Sequence, residues 1–157
     1  MNFSFERLSE ADLPFLLEVR GSCRGFLHDD RKFTLVESQS WFRNHRPEFY
    51  LLKLDGQAIG YFRTSNRNPA DRSIYVGADL HAAFRGRGLA VPAYAAFFEL
   101  IREQQGIAIA RLEVLSHNTV AIGLYRKLGF EEVERKRAVV VRDGQPVDSI
   151  VMQLALS

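Results

Sequence analysis

Two groups of residues have the types and spacing to do chemistry. The first is Phe84-Arg85-Gly86-Arg87-Gly88-Leu89-Ala90, which follows a β-rich run and opens a helical one. Glycines let the backbone come close to a ligand, and the first-turn amides of a helix lack intrahelical partners. Together with the helix dipole, that arrangement favours phosphate, and Arg85 and Arg87 add positive charge beside it. The second group is Asn118-Thr119-Val120-Ala121-Ile122-Gly123-Leu124-Tyr125-Arg126-Lys127-Leu128-Gly129-Phe130. At about 100° per residue, Asn118 and Tyr125 return nearly to one helical face. An amide and a titratable phenol therefore project from the same side, two turns apart.

The elements that must position these groups follow from pattern. Residues 2–8 alternate, with Phe3 and Phe5 on one face, and read as a strand. Ser9 reads as an N-cap, Leu13, Leu16, Leu17 and Arg20 follow at helical spacing, and Gly21 is expected to stop that helix. Residues 21–35 read as a loop or broken helix, and Ser38 to His45 as a short helix carrying Trp41 and Phe42. Phe49–Leu54, the Asp55-Gly56 turn and Ala58–Thr64 form a hairpin. Asn66 to Arg72 is expected to be a loop. The strand Ser73–Leu80 leads into the glycine-rich turn, and a helix runs from about 88 to 104, ended by Gly106. That helix is apolar on most faces, which predicts burial nearly all round. Ile107–Leu115 is a strand, and Asn118–Leu128 a helix that Gly129 caps. Val133–Val141 and Val147–Leu156 form a second hairpin across Arg142-Asp143-Gly144-Gln145. The order β-α-α-β-β-β-α-β-α-β-β points to an α/β or mixed α+β layer fold rather than a bundle or a sandwich.

Composition narrows the classes of function. At 157 residues, with no composition shift along the chain, one domain spanning 1–157 is expected. A net charge of +2 and scattered arginines argue against bulk nucleic-acid binding. Cys23 is the only cysteine, so neither an intrachain disulfide nor a cysteine-cluster zinc site can form, and no metal is expected. No apolar run approaches the roughly 18 residues of a membrane span, and the N-terminus lacks a basic-then-apolar leader pattern. These features lead to the expectation of a cytoplasmic protein with no membrane partner.

The nucleotide motif G-x-x-x-x-G-K-[ST] is absent, and G-x-G-x-x-G fails at Val91. Arg85-Gly86-Arg87-Gly88-Leu89-Ala90 instead resembles [RQ]-x-x-G-x-[GA], the pyrophosphate-binding signature of the GCN5-related N-acetyltransferase (GNAT) superfamily. The run from Asn118 to Phe130 resembles that family's N-x-x-A-x-x-L-Y-x-K-x-G-F pattern at every fixed position. The resemblance is specific from about residue 72 to 131 and rests on element order elsewhere. It implies a central twisted, mostly antiparallel sheet of about seven strands with helices on both faces. It also implies transfer of an acetyl group from acetyl-coenzyme A to an amine.

Site residues follow from the same resemblance. The backbone of Arg85, Gly86, Arg87, Gly88, Leu89 and Ala90 would hold the pyrophosphate. The pantetheine arm would lie along the strand ending at Asp79 and Leu80, where it splays from the strand ending near Leu115. The Leu80 N–H would stabilise the oxyanion. Tyr125 would be the general acid for the thiolate, its alternative being a ring packed on the sheet. Asn118 would contact the cofactor arm or simply cap its helix. Arg126 would reach the adenosine phosphates or complement the helix end. The family's usual base is a carboxylate on this strand, which has no Glu; Asp79 at its end, and Tyr75 or Ser73 through water, are candidates, and the base stays open. His28 and Trp41 would line the acceptor side, Trp41 alternatively laying its ring on the core. Two short runs, Ser38–Phe42 and Gly144–Met152, resemble the branch of ribosomal-protein N-terminal and nucleotide-amino-sugar acetyltransferases. A small amine such as an amino sugar is the expected acceptor. The alternatives are a protein N-terminus, or acyl-CoA binding without catalysis. The C-terminal hairpin could pair between subunits and give a homodimer.

Overall fold

The computed structural model describes residues 1–156. The chain runs β1 (Phe3–Arg7), α1 (Leu13–Cys23), α2 (Leu35–His45), β2 (Glu48–Leu54), β3 (Gln57–Asn68), β4 (Ser73–Leu80), α3 (Ala90–Gln105), β5 (Ile109–Leu115), α4 (Thr119–Leu128), β6 (Glu131–Arg142) and β7 (Gln145–Ala155). This is the expected order. The strands form one seven-stranded sheet, β1-β2-β3-β4-β5-β7-β6. Every neighbouring pair is antiparallel except β4 and β5.

Local chemistry explains most boundaries, including those that differ from expectation. Thr34 Oγ1 accepts from the Glu37 N–H at 3.1 Å, and Glu37 Oε1 accepts from the Thr34 N–H at 3.0 Å. This reciprocal cap starts α2 at Leu35, three residues before the expected start. Gly21 does not stop α1. Val19 and Cys23, four apart, are both buried, and their packing outweighs the roughly 1 kcal/mol that a glycine costs inside a helix. Asn66, expected in a loop, lies within β3 at φ 51°. Asparagine tolerates that left-handed conformation, so β3 bulges and continues to pair, Asn68 meeting Ser73. The Asp55-Gly56 and Asp143-Gly144 pairs have positive φ at both positions and close their hairpins as tight turns.

The sheet separates two apolar layers. On one face α3 and α4 cover Ile74, Val76, Leu112, Val114, Ile150 and Met152, with Phe62 stacked on Phe97 at 4.3 Å. On the other, α1 and α2 cover Phe49 and Tyr61 with Leu13, Leu16 and Val19. The expectation that α3 would be buried all round is corrected. Ala93, Tyr94, Phe97, Phe98 and Ile101 face the sheet, whereas Val91 and Ala95 are exposed. Small or modest apolar residues fill its outer face, so apolar composition overstated its burial. No helix among the described residues is long and apolar enough to cross a membrane.

One irregularity in the sheet matters most. β4 pairs with β3 as far as Leu80, and β5 pairs with β7 as far as Leu115. Yet β4 and β5 pair with each other only through Ser73–Tyr75 and Ile109–Arg111. Beyond Tyr75 and Arg111 the two parallel strands diverge and leave a gap at their C-terminal ends.

Candidate active site

The gap holds a cavity of about 420 Å³, walled by Val76 to Leu80 of β4, Leu112 to Val114 of β5, and α3 and α4. Backbone polarity along it follows from register. The His81 N–H donates to the Ile59 carbonyl at 2.8 Å. In an antiparallel ladder bonded and non-bonded positions alternate, so Asp79 and Gly77 bond to β3 while Ala78 and Leu80 turn their polar groups toward the gap. The Leu80 carbonyl on that side accepts from Arg85 Nε at 3.1 Å. The Leu80 and Ala78 N–H groups thus line the gap where β5 has left.

At the end of the gap lies the glycine-rich turn. Gly86 and Gly88 have φ of 71° and 70°, and a Cβ at either would meet open space. Conformation, not crowding, demands glycine there. The amides of residues 86–91 find no acceptor among the described residues, and Pro92 in the first turn of α3 has no amide to leave orphaned. Arg87 lies over the Phe84 ring at 5.2 Å. Arg85 turns inward instead, its guanidinium donating to the Ser22 carbonyl at 3.2 Å, Ser22 Oγ at 3.0 Å and Cys23 Sγ at 2.6 Å. Its side chain ties the turn to α1 rather than reaching out to an anion. Burial pushes the Cys23 thiol up to about 11, with Asp79 adding to the effect, so it is no nucleophile at neutral pH.

Helix α4 brings Tyr125 and Asn118 to the same cavity. The Tyr125 hydroxyl lies 3.3 Å from that of Tyr94 on α3. Burial raises the Tyr125 phenol above its ordinary value, so it keeps its proton through the neutral range. Asn118 Oδ1 accepts from the Ala121 N–H at 3.2 Å and caps α4 while lining the gap. Arg126 is exposed and lines neither cavity of the site.

A second cavity of about 490 Å³ opens on the other face of the sheet, under α1, α2 and the segment 27–33. Leu13, Leu16, Phe33, Trp41 and Phe49 give it an apolar wall. It shares Leu27, His28, Arg63 and Asp79 with the first cavity, so the two spaces meet there. Asp79 accepts from the Tyr61 hydroxyl at 2.6 Å, and burial raises its carboxyl despite that bond and the nearby Arg63. The Arg63 side chain lies across Gly77, where any Cβ would strike its guanidinium. His28 Nε2 is 2.8 Å from Ser149 Oγ, which donates to Glu113 Oε2 at 2.9 Å. Tyr75 lines neither cavity, which takes it out of reach as a relay.

Tyr61, Arg63, Tyr94, Glu113 and Ser149 had no motif to announce them. Strand alternation held part of the signal. Tyr61 and Arg63 share one face of β3, and Glu113 interrupts an apolar β5. What alternation does not show is that His28 comes to Glu113 and Ser149 from the far end of the chain.

The gap, its free amides and the anion-suited turn fit the thioester arm and pyrophosphate of a coenzyme A. Residues 13–130 match the family described as "Acetyltransferase (GNAT) family". The chain is 29% identical to an L-methionine sulfoximine/L-methionine sulfone acetyltransferase of Pseudomonas aeruginosa, with 99% of this chain and 96% of the relative covered. A spermidine N-acetyltransferase from Vibrio cholerae, solved with CoA and spermine, superposes with a TM-score of 0.89 at 16% identity, covering 98% of this chain and 95% of that one. A ribosomal-protein-alanine N-acetyltransferase from Brucella melitensis gives a TM-score of 0.79 at 22% identity, covering 99% of each chain. The two structural likenesses are of fold. The family match spans both the glycine-rich turn and the Asn118–Phe130 helix, and the chain belongs to the GNAT family of N-acetyltransferases, for which acetyl-CoA is the acyl donor.

Proposed function

We propose that the chain acetylates the primary amine of a small molecule that also carries a carboxylate, an amino acid or a close analogue. Arg63 is the observation that carries this reading. Among the described residues lining the acceptor cavity, Arg31 is paired with Asp29, and Arg20 donates to the Asp29 carbonyl and lies over Phe33. Among the described residues Arg63, which lines the same cavity, makes no ion pair, its charge acting on the Asp79 carboxyl beside it. It lies where the two cavities meet, beside Asp79, and suits a carboxylate held close to the reacting amine. The apolar wall from Leu13 to Phe49 suits a side chain of methionine size. The Pseudomonas aeruginosa relative is named for two such amino-acid analogues, which supports the same class.

Acetyl-CoA supplies an activated acetyl thioester. The amides of residues 86–91 hold its pyrophosphate, with Arg87 the nearer side-chain charge. The N–H of Leu80, which lines the gap, would face the carbonyl oxygen and stabilise the charge that develops on it. Tyr125 would hold a proton for the departing sulfur, and with Tyr94 as donor across the 3.3 Å between the two hydroxyls the Tyr125 hydrogen is free for that role. Asp79 would flank the donor without bonding it, its backbone pairing with β3 and its carboxyl accepting from the Tyr61 hydroxyl.

Calorimetric titration with acetyl-CoA, with ATP as control, establishes the donor site. Thiol release is then followed with methionine sulfone, methionine sulfoximine, their decarboxylated amines, amino sugars, spermidine and an N-terminal peptide. Turnover is expected for the two amino-acid analogues. A charge-assisted hydrogen bond contributes about 1.5–3 kcal/mol, so Arg63→Gln should raise their KM about ten- to hundred-fold. KM for amines lacking a carboxylate should hardly move. Equal turnover of the decarboxylated amines, or preference for amino sugars, would remove the carboxylate from the specificity.

A further inference from the structure

We propose that His28 is the general base that takes a proton from the bound acceptor ammonium through Nδ1, with Ser149 and Glu113 fixing its other nitrogen. The proposal rests on the acetyl-transfer reading above and adds the residue that makes the amine nucleophilic.

The argument begins at Glu113. Lys136 Nζ donates to Glu113 Oε1 at 2.8 Å and Ser149 Oγ donates to Oε2 at 2.9 Å. Burial alone would raise the Glu113 carboxyl, but these two bonds outweigh it and hold it below its usual value. Glu113 is therefore an acceptor only. A hydroxyl has one hydrogen, and that of Ser149 is committed to Glu113. Its oxygen must accept from His28 Nε2, 2.8 Å away. Neutral His28 is thereby set in the Nε2–H tautomer, and Nδ1 carries a lone pair to which no group among the described residues donates.

The surroundings keep that lone pair available. Burial lowers the His28 pKa from 6.5, and Arg63, Arg142 and Lys136 reinforce the effect against the opposing pull of Glu113. Arg63 on β3, Glu113 on β5, and Lys136 and Arg142 on β6 act on it, and Asp79 on β4 lines the same two cavities. On its own segment Asp29 is paired with Arg31, and Asp30 stands 3.6 Å from Arg142. Arg142 also donates to the Leu27 carbonyl at 2.6 Å, which pins the His28 segment to the sheet. His28 lines both the donor gap and the acceptor cavity, and its side chain is 36% exposed. Asp79 lines both as well, but its carboxylate already accepts from Tyr61.

The step balances simply. An N–H bond of the ammonium breaks and its electron pair stays on the amine nitrogen, which attacks the acetyl carbonyl carbon as the carbonyl π pair moves onto oxygen. That first proton forms a bond to Nδ1. On collapse the oxygen pair re-forms C=O, the C–S bond breaks, the sulfur takes the Tyr125 proton, and the second proton lost by the nitrogen restores Tyr125. The imidazolium charge faces Glu113 through Ser149, and the proton leaves to solvent through the acceptor cavity before the next turnover. Ser149 and Glu113 act as positioning residues.

Two measurements test this. A 15N NMR titration of the free protein should show His28 as the Nε2–H tautomer, titrating below 6.5, with Ser149→Ala eroding the tautomer preference. In the kcat–pH profile, the acid limb should persist in Asp79→Asn and vanish in His28→Gln. Glutamine can still donate to Ser149, so the fold is kept. His28→Gln should lower kcat about 10²- to 10³-fold and leave acetyl-CoA affinity within about twofold. An Nδ1–H tautomer, an imidazolium at pH 7, or an acid limb lost in Asp79→Asn but kept in His28→Gln would overturn the proposal. Wild-type turnover undiminished in His28→Gln would remove His28 alone. No turnover with any amine by the wild type would remove the acetyl-transfer reading and His28 with it.

Discussion

Removing one oxygen isolates the role of Tyr125. Its ring packs against Tyr94 and Phe130, at centroid distances of 5.8 and 5.9 Å, so a phenylalanine keeps the shape. Tyr125→Phe should therefore lower the single-turnover rate about 10²-fold or more while calorimetric affinity for acetyl-CoA stays nearly constant. An unchanged rate with chemistry limiting would leave the hydroxyl a structural partner of Tyr94. This residue was legible because packing alone does not require a tyrosine there: Ala121, Leu124 and Leu128 already make the apolar stripe. Asn118 was legible only as a choice between two roles. The structure shows it capping α4 and lining the gap at once, since a cap at the cavity mouth satisfies both. Arg63 and Glu113 were legible only as charges on strand faces, not as site residues. A charge on a strand looks the same in sequence whether its face meets solvent or a cavity.

Element order was legible from period and punctuation, and the positions of Gly56, Gly106, Gly129 and Gly144 fell at turns and caps as expected. The misread ends share a cause. Gly21 and the start of α2 were decided by burial and a side-chain cap, which override local propensity. The divergence of β4 from β5 was expected through resemblance, and no local pattern encodes it. Gly60 helps to hold β4 in place at that point. A Cβ on Gly60 would collide with the Asp79 carbonyl oxygen and come within 3.1 Å of Leu80 Cα. Backbone cannot yield as a flexible side chain can, so Gly60→Ala should cost about 1–3 kcal/mol. That is a fall in Tm of about 2–12 °C for a chain of this size. It should also displace the Leu80 N–H and lower kcat without raising the acetyl-CoA Kd in proportion. A variant with wild-type Tm and kcat would show that β3 and β4 separate there without consequence.

At the scale of the whole molecule, the two cavities, proposed to take donor and acceptor, lie on opposite faces of one sheet and meet at its opened seam. Arg85 joins them mechanically, because it belongs to the turn proposed to hold the donor and grips Ser22 and Cys23 on the helix that walls the second cavity. Arg142 does the same from β6, holding Leu27 and facing Asp30. Such ties across the sheet support reading the chain as one folding unit, which unfolding can test. Trp41 is the only tryptophan and sits on α2, packed edge-on to Phe49 at 5.9 Å. Its fluorescence reports the α1–α2 layer, whereas far-ultraviolet circular dichroism reports every helix and strand. If the two layers share one cooperative transition, the denaturant midpoints of the two probes coincide. An earlier fluorescence midpoint would mean that the α1–α2 layer leaves first. The acceptor cavity would then be the less stable half of the site, and saturating acetyl-CoA should draw the two midpoints together only if the Arg85 tie carries the donor's binding energy into α1.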